Sequence, residues 1–185
     1  MVKVRLYLVR HGKTMFNTIG RAQGWSDTPL TAEGERGIQE LGIGLRESSL
    51  QFERAYSSDS GRTIQTMGII LEELGLQGKI PYRMDKRIRE WCFGSFDGAY
   101  DGDLFMGIIP RIFNVDHVHQ LSYAELAEGL VEVDTAGWAE GWEKLSGRIK
   151  EGFEAIAKEM EEQGGGNALV VSHGMTIGTI VYLIN

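Results

Sequence analysis

The sequence predicts an α/β domain, a three-layer sandwich in which a mostly parallel sheet lies between helices. Three observations point there. An apolar, β-prone run, Leu6-Tyr7-Leu8-Val9, stops at Arg10-His11-Gly12. A second run with the same grammar, Ala168-Leu169-Val170-Val171, stops at Ser172-His173-Gly174. Between them, short apolar runs alternate with stretches of helical periodicity, the pattern of parallel strands joined by crossover helices. A buried strand that ends at a polar side chain followed by glycine delivers that side chain to the carboxyl edge of a sheet, where open α/β sheets bind ligands. Two such strands would bring His11 and His173 to one place, with Arg10 beside them.

The first strand spans roughly Val2 to Val9, and Asn17 to Asp27 reads as a polar, glycine-punctuated loop. Thr31 makes an N-cap, its hydroxyl taking an orphan backbone N–H while Glu33 suits the first-turn dipole. Ile38, Leu41 and Leu45 follow at helical spacing. A short strand around Arg54 to Ser57 leads to Ser58, Asp59 or Ser60 as the next cap. That helix carries Ile64, Met67, Leu71 and Leu74 on one face and stops at Gly75. Lys79 to Met84 is a third strand, at an edge because Pro81 cannot donate to a ladder. From Trp91 to about Gly137 the pattern loosens into aromatics, glycines and acids, and residues 95–137 are predicted to form an inserted lid. The helix beyond carries Trp142, Leu145, Ile149, Phe153, Ile156 and Met160 on one stripe. Gly164-Gly165-Gly166 turns the chain into the strand before His173, and the last residues begin another helix. No linker divides the chain, so one domain is expected over residues 1–185.

At 185 residues the chain is long enough to bury a core without staples. A net charge of -7 argues against nucleic acid or an anionic membrane as partner. No apolar run approaches the ~20 residues of a membrane span, and Met1-Val2-Lys3-Val4-Arg5 interleaves charges where a secretory signal has an apolar core. The only cysteine, Cys92, can form no internal disulfide, which fits a reducing compartment. A cytoplasmic protein is expected, its oligomeric state open.

A histidine preceded by arginine and backed by glycine suits nucleophilic attack on phosphorus. The neutral imidazole attacks while guanidinium groups hold and neutralise the non-bridging oxygens. Arg62 would add a second guanidinium from the first turn of its helix, where the helix N-terminus favours anions, and His173 a third donor. A leaving alkoxide needs a proton, and Glu90 in Arg87-Ile88-Arg89-Glu90 is the acid best placed by context.

These pieces resemble the histidine phosphatase superfamily, also called the phosphoglycerate mutase-like family. The matching residues are Arg10-His11-Gly12-Lys13-Thr14 with Asn17, and Gln23-Gly24-Trp25-Ser26-Asp27 with Pro29-Leu30-Thr31. Then come Ala55-Tyr56-Ser57-Ser58 with Arg62 and Thr66, Arg89-Glu90 with Phe93-Gly94 and Gly98, and Ser172-His173-Gly174. The resemblance implies a phosphoglycerate mutase-like fold with His11 as phosphohistidine, a phosphate pocket of Arg10, Arg62 and His173, and Glu90 as general acid. Asn17, Gln23 and Gly24 would contribute to substrate binding, the family uses no metal, and no cofactor is expected for this chain. Relatives usually continue further past the second histidine than this sequence does. The mutase branch normally carries Arg-His-Tyr-Gly after the acid, then a lysine and a pair of arginines. Here Trp91-Cys92-Phe93-Gly94 follows Glu90, and Arg111 is the only lysine or arginine before Glu143.

Competing motifs are weaker. His117 and His119 would share a strand face but lack a third ligand at metal spacing, so they read as surface histidines. Asp101-Gly102-Asp103 lacks the apolar strand that precedes the paired aspartates of another phosphatase class. Cys92 has Gly98 where a cysteine phosphatase needs arginine, and the triple glycine precedes its strand, the wrong way round for a dinucleotide loop. The expected activity is hydrolysis of a small, low-charge organic monophosphate through phosphohistidine. The alternatives are mutase-type phosphoryl transfer and a catalytically silent phosphate-binding domain on the same fold.

Overall fold

The computed structural model describes residues 2–185. Its elements run β1 (Val4–Arg10), α1 (Met15–Thr18), α2 (Ala32–Glu47), β2 (Arg54–Ser57), α3 (Gly61–Glu73), β3 (Tyr82–Met84), α4 (Ile109–Phe113), α5 (Tyr123–Val133), α6 (Trp142–Glu162), β4 (Gly166–Ser172) and α7 (Gly174–Ile184). The strands form one sheet in the order β1-β4-β2-β3, and every neighbouring pair is parallel. The two-residue strand period divides the side chains between two cores. Leu6, Leu8, Ala168 and Val170 pack with α5 and α6 on one face. Tyr7, Val9, Leu169 and Val171 pack with Ile38 of α2 and Met67, Ile70 and Leu71 of α3 on the other. The predicted three layers are therefore present, and the stripe of α6 buries Leu145, Ile149, Phe153, Ile156 and Met160.

Register places the site. β1 and β4 run level from Val4 opposite Gly166 to Arg10 opposite Ser172, and Ser57 of β2 lies opposite Val171. The ladders continue past the strand ends, His11 N donating to Ser172 O (3.1 Å) and Ser58 N to Val171 O (3.2 Å). His11, Ser58 and His173 thus emerge together at the carboxyl edge. Thr31 caps α2 as expected, its hydroxyl accepting from Gly34 N.

Three local expectations need correction. The first strand is Val4–Arg10, so it keeps Arg10 inside the ladder. The third is only Tyr82–Met84, because Pro81 contributes its carbonyl to Ala55 N and no donor of its own. Ile64 faces solvent, since α3 is rotated to bury Arg62, Thr63 and Thr66 along with Met67, Ile70 and Leu71.

Residues 95–137 are largely helical. A π-helical run, Asp103–Ile108, continues into α4, and a 3-10 turn at Val118–Gln120 precedes α5. The two ends of the segment are tied together by Asp134, whose carboxylate accepts from Ser95 N, Ala136 N, Trp138 N and Ala139 N. His117 precedes that 3-10 turn and His119 lies within it, both exposed, and they share no strand face. Among the described residues no helix is long and apolar enough to cross a membrane.

Candidate active site

His11 opens the site. Its Nδ1 lies 2.8 Å from Gly12 O. A carbonyl oxygen only accepts, so Nδ1 carries the proton and Nε2 keeps its lone pair. The ring is nearly buried, and burial, reinforced by Arg62 and Arg10, lowers its pKa to about 4. His11 is therefore a neutral imidazole at neutral pH. It lines a small cavity of about 160 Å³ with Arg10, Lys13 and Asn17. Gly12 has to be glycine, because a Cβ there would come within 2.8 Å of Ile38 Cγ1 and 3.0 Å of Gly34 O. Its N–H donates to Thr66 Oγ1 (3.0 Å), and that hydroxyl donates to Arg62 O (2.7 Å), so β1 and α3 are pinned at this point.

Arg62, in the first turn of α3, is fully buried. One terminal nitrogen donates to Ser26 O (2.9 Å) and Asp27 Oδ1 (2.8 Å). The other donates to Gly24 O (2.8 Å) and His173 Nδ1 (3.0 Å). Among the described residues its Nε–H has no partner. Because arginine cannot accept, His173 Nδ1 must be unprotonated. Its Nε2–H then donates to Ser58 Oγ, 2.7 Å away. Burial, with Arg62 close by, holds the His173 pKa well below that of an ordinary histidine. Both its nitrogens are committed, so in this arrangement His173 orients Arg62 where a third free donor was expected. The two imidazoles still stand edge to face, with centroids 5.4 Å apart.

Glu90 lies beneath the start of α7. Its Oε1 accepts from Trp91 N (3.0 Å), Thr176 N (3.0 Å) and Thr176 Oγ1 (3.1 Å), and its Oε2 from Met175 N (3.1 Å). Burial raises its pKa even against these bonds, so the carboxyl retains a proton at a higher pH than an ordinary glutamate does. Arg148 of α6 donates to Arg87 O, Arg89 O and Glu90 O. It is itself gripped by the buried Glu140.

The remaining sequence-derived residues divide. Asn17 lines the cavity, and its side-chain oxygen accepts from Thr14 N in a capping box. Gln23 is a strut: Oε1 accepts from Thr14 Oγ1 (2.6 Å) and Nε2 donates to Thr28 Oγ1 (3.1 Å). Gly24 acts through its carbonyl on Arg62, and a Cβ there would collide with Trp91 O. Sequence reasoning missed Asp97 as an organiser. Its carboxylate accepts from Gly24 N, Trp25 N, Ser26 N, Ser26 Oγ and Phe93 N, fixing the loop whose carbonyls hold Arg62. Among the described residues, no group of three or more His, Cys, Asp or Glu side chains is placed to hold a metal ion.

Comparison with known proteins agrees with this geometry. Residues 6–185 match the family model of the histidine phosphatase superfamily (branch 1). A Salmonella choleraesuis protein named probable phosphoglycerate mutase GpmB is 33% identical over 183 residues, 98% of this chain and 74% of its own. The crystal structure of phosphoglycerate mutase from Bacillus anthracis superposes with a TM-score of 0.92 at 37% identity, covering 98% of this chain and 80% of that one. A candidate alpha-ribazole-5'-P phosphatase from Escherichia coli K-12 superposes with a TM-score of 0.69 at 25% identity, covering 99% of this chain and 80% of that one.

Proposed function

Because the chain belongs to the histidine phosphatase superfamily (branch 1), we propose that it is a metal-independent phosphomonoesterase of the histidine acid phosphatase type, cytoplasmic, acting through phosphohistidine. The observation that carries this reading is His11, held neutral with Nε2 unprotonated and lining a cavity of about 160 Å³ beside Arg10. Nε2 attacks phosphorus, forming the N–P bond as the ester P–O bond breaks. Glu90 gives its proton to the departing oxygen. Water then attacks phosphohistidine and returns a proton to Glu90, and the N–P bond breaks to release phosphate. Arg10 and the unpartnered Nε–H of Arg62 neutralise the phosphoryl oxygens, the charge stabilisation that usually supplies the largest share of such a rate. Brief reaction with labelled substrate, quenched in base, should trap an acid-labile phosphohistidine that is missing in His11→Ala. Turnover by His11→Ala at a near wild-type rate would sink this mechanism.

The names of two relatives favour a second reading, return of the phosphoryl group to an isomer of the substrate. The run Trp91-Cys92-Phe93-Gly94 after the acid, and the shortage of cations up to Glu143, speak for hydrolysis. Incubation with 3-phosphoglycerate separates the two, since a hydrolase releases phosphate and forms no isomer.

A further inference from the structure

The phosphate cavity accounts for one end of an ester and leaves the other end without a partner. Trp25 is held on three sides. Its indole Nε1–H donates to Glu90 O (3.0 Å), and its backbone N–H to Asp97 Oδ2 (3.3 Å). The Arg89 guanidinium lies over the ring, 5.0 Å from the centroid. Arg89 is in turn fixed by two bonds to Asp59, of 2.6 and 2.5 Å. Despite these restraints the side chain is 43% exposed. A rigid aromatic that is already ordered loses little entropy on meeting a ligand.

Its place in the loop matters as much. The residues on either side, Gly24 and Ser26, direct their carbonyls at Arg62, while the indole is bonded to the residue proposed to protonate the leaving group. Met15, Ile19 and Tyr100 are also exposed, on segments joined to this loop, Tyr100 lying under the Arg21 guanidinium. One exposed apolar side chain is ordinary. Four lie on this loop and on segments joined to it, one of which also carries Asn17 of the phosphate cavity.

We propose that Trp25 is a specificity-determining residue, a fixed platform on which a flat aromatic leaving group stacks while its oxygen takes the proton from Glu90. The substrate class is aryl or heteroaryl monophosphates. With Arg89 drawing electron density through one face, the open face suits an electron-rich ring or a departing phenolate. The assignment rests on the phosphomonoesterase reading, and binding measurements keep the two separable.

The test compares wild type, Trp25→Leu and Trp25→Phe in kcat/KM on phenyl and methyl phosphate, and in Kd for phenylphosphonate and methylphosphonate. Trp25→Leu should lose about 5- to 10-fold on both phenyl compounds, mostly in KM, as expected for one aromatic pair. The methyl compounds should change by about twofold or less, having no ring to stack. Trp25→Phe keeps a ring but not the bond to Glu90 O, and should retain most of the phenyl preference. Equal losses on phenyl and methyl compounds, or a Phe variant as impaired as Leu, would overturn the platform. So would a wild type that binds the two phosphonates alike. A wild type that hydrolyses neither ester, yet prefers phenylphosphonate only while Trp25 is present, would remove the phosphatase reading and leave the platform standing.

Discussion

A histidine that attacks phosphorus has to be neutral and has to aim one nitrogen outward, and a single bond to Gly12 O secures the second requirement for His11. Burial secures the first, and it carries a cost in acid. In the unfolded chain a histidine binds its proton near 6.5, whereas folded His11 does so only near 4. Between those values the unfolded state holds the extra proton, so stability is full above about pH 6.5 and falls as pH drops toward 4. The slope is at most about 1.4 kcal/mol per pH unit for one such group. His173, also depressed by burial, adds to the same trend. Urea midpoints measured from pH 7 to 5 should decline for wild type and decline less steeply for His11→Ala. Equal slopes would contradict a buried, neutral His11. Nothing in the sequence foretold the state of His173. The residues around it were legible, but the tautomer follows from Arg62 and Ser58 meeting it from two sides, separated by 111 and 115 positions in the chain.

At the scale of elements, Glu90 and α7 depend on one another. The carboxylate collects the first N–H groups of the helix, which no helical carbonyl can reach, and the helix N-terminus offsets its charge. Glu90→Gln should therefore do two things. Losing part of a buried cap should cost about 1–2 kcal/mol in unfolding free energy. Losing the proton donor should impair alkyl phosphates far more than p-nitrophenyl phosphate, whose oxygen leaves without help. Thermal denaturation reads the first effect and the ratio of the two rates reads the second, and a loss of activity equal on both substrates would assign Glu90 to the cap alone. The elements most legible in the sequence were those governed by local rules, namely the Thr31 cap, the stripe of α6 and the two strands ending in His-Gly. Those misplaced answered to distant partners. Ile64 lost its place in the core because Arg62 had to be buried against Gly24, Asp27 and His173. Asp97 escaped notice in the sequence because its five donors lie on Phe93 and on a loop about seventy positions earlier.

The whole molecule sets the charge around the site. From Asp97 to Glu143 the chain carries ten acids and one arginine. Several of those acids are engaged inside the protein: Asp97 on the loop, Asp134 at the base of residues 95–137, Glu140 with Arg148, and Glu125 capping α5. The surplus of negative charge remains, and we propose that it disfavours a substrate with a second phosphate or carboxylate. kcat/KM should thus be higher for aryl and other low-charge monophosphates than for 3-phosphoglycerate or fructose bisphosphates at one ionic strength, with no isomer of phosphoglycerate formed. A clear preference for either polyanion would restore the mutase reading. The pairing of β1 with β4 has a consequence of a different kind. Among the described residues, the strand that delivers His11 finds its only neighbour in the sheet more than 150 residues later. During synthesis His11 therefore leaves the ribosome early and waits, its strand unpaired, until β4 is translated. Helices α2 and α3 can dock on each other in the interval, but the carboxyl edge that carries His11 and His173 closes only when β4 arrives. Such long-range closure is slow, and it exposes an apolar strand to wrong partners until it is complete. In a nascent chain, then, the meeting of His11 with His173 would wait for the arrival of β4.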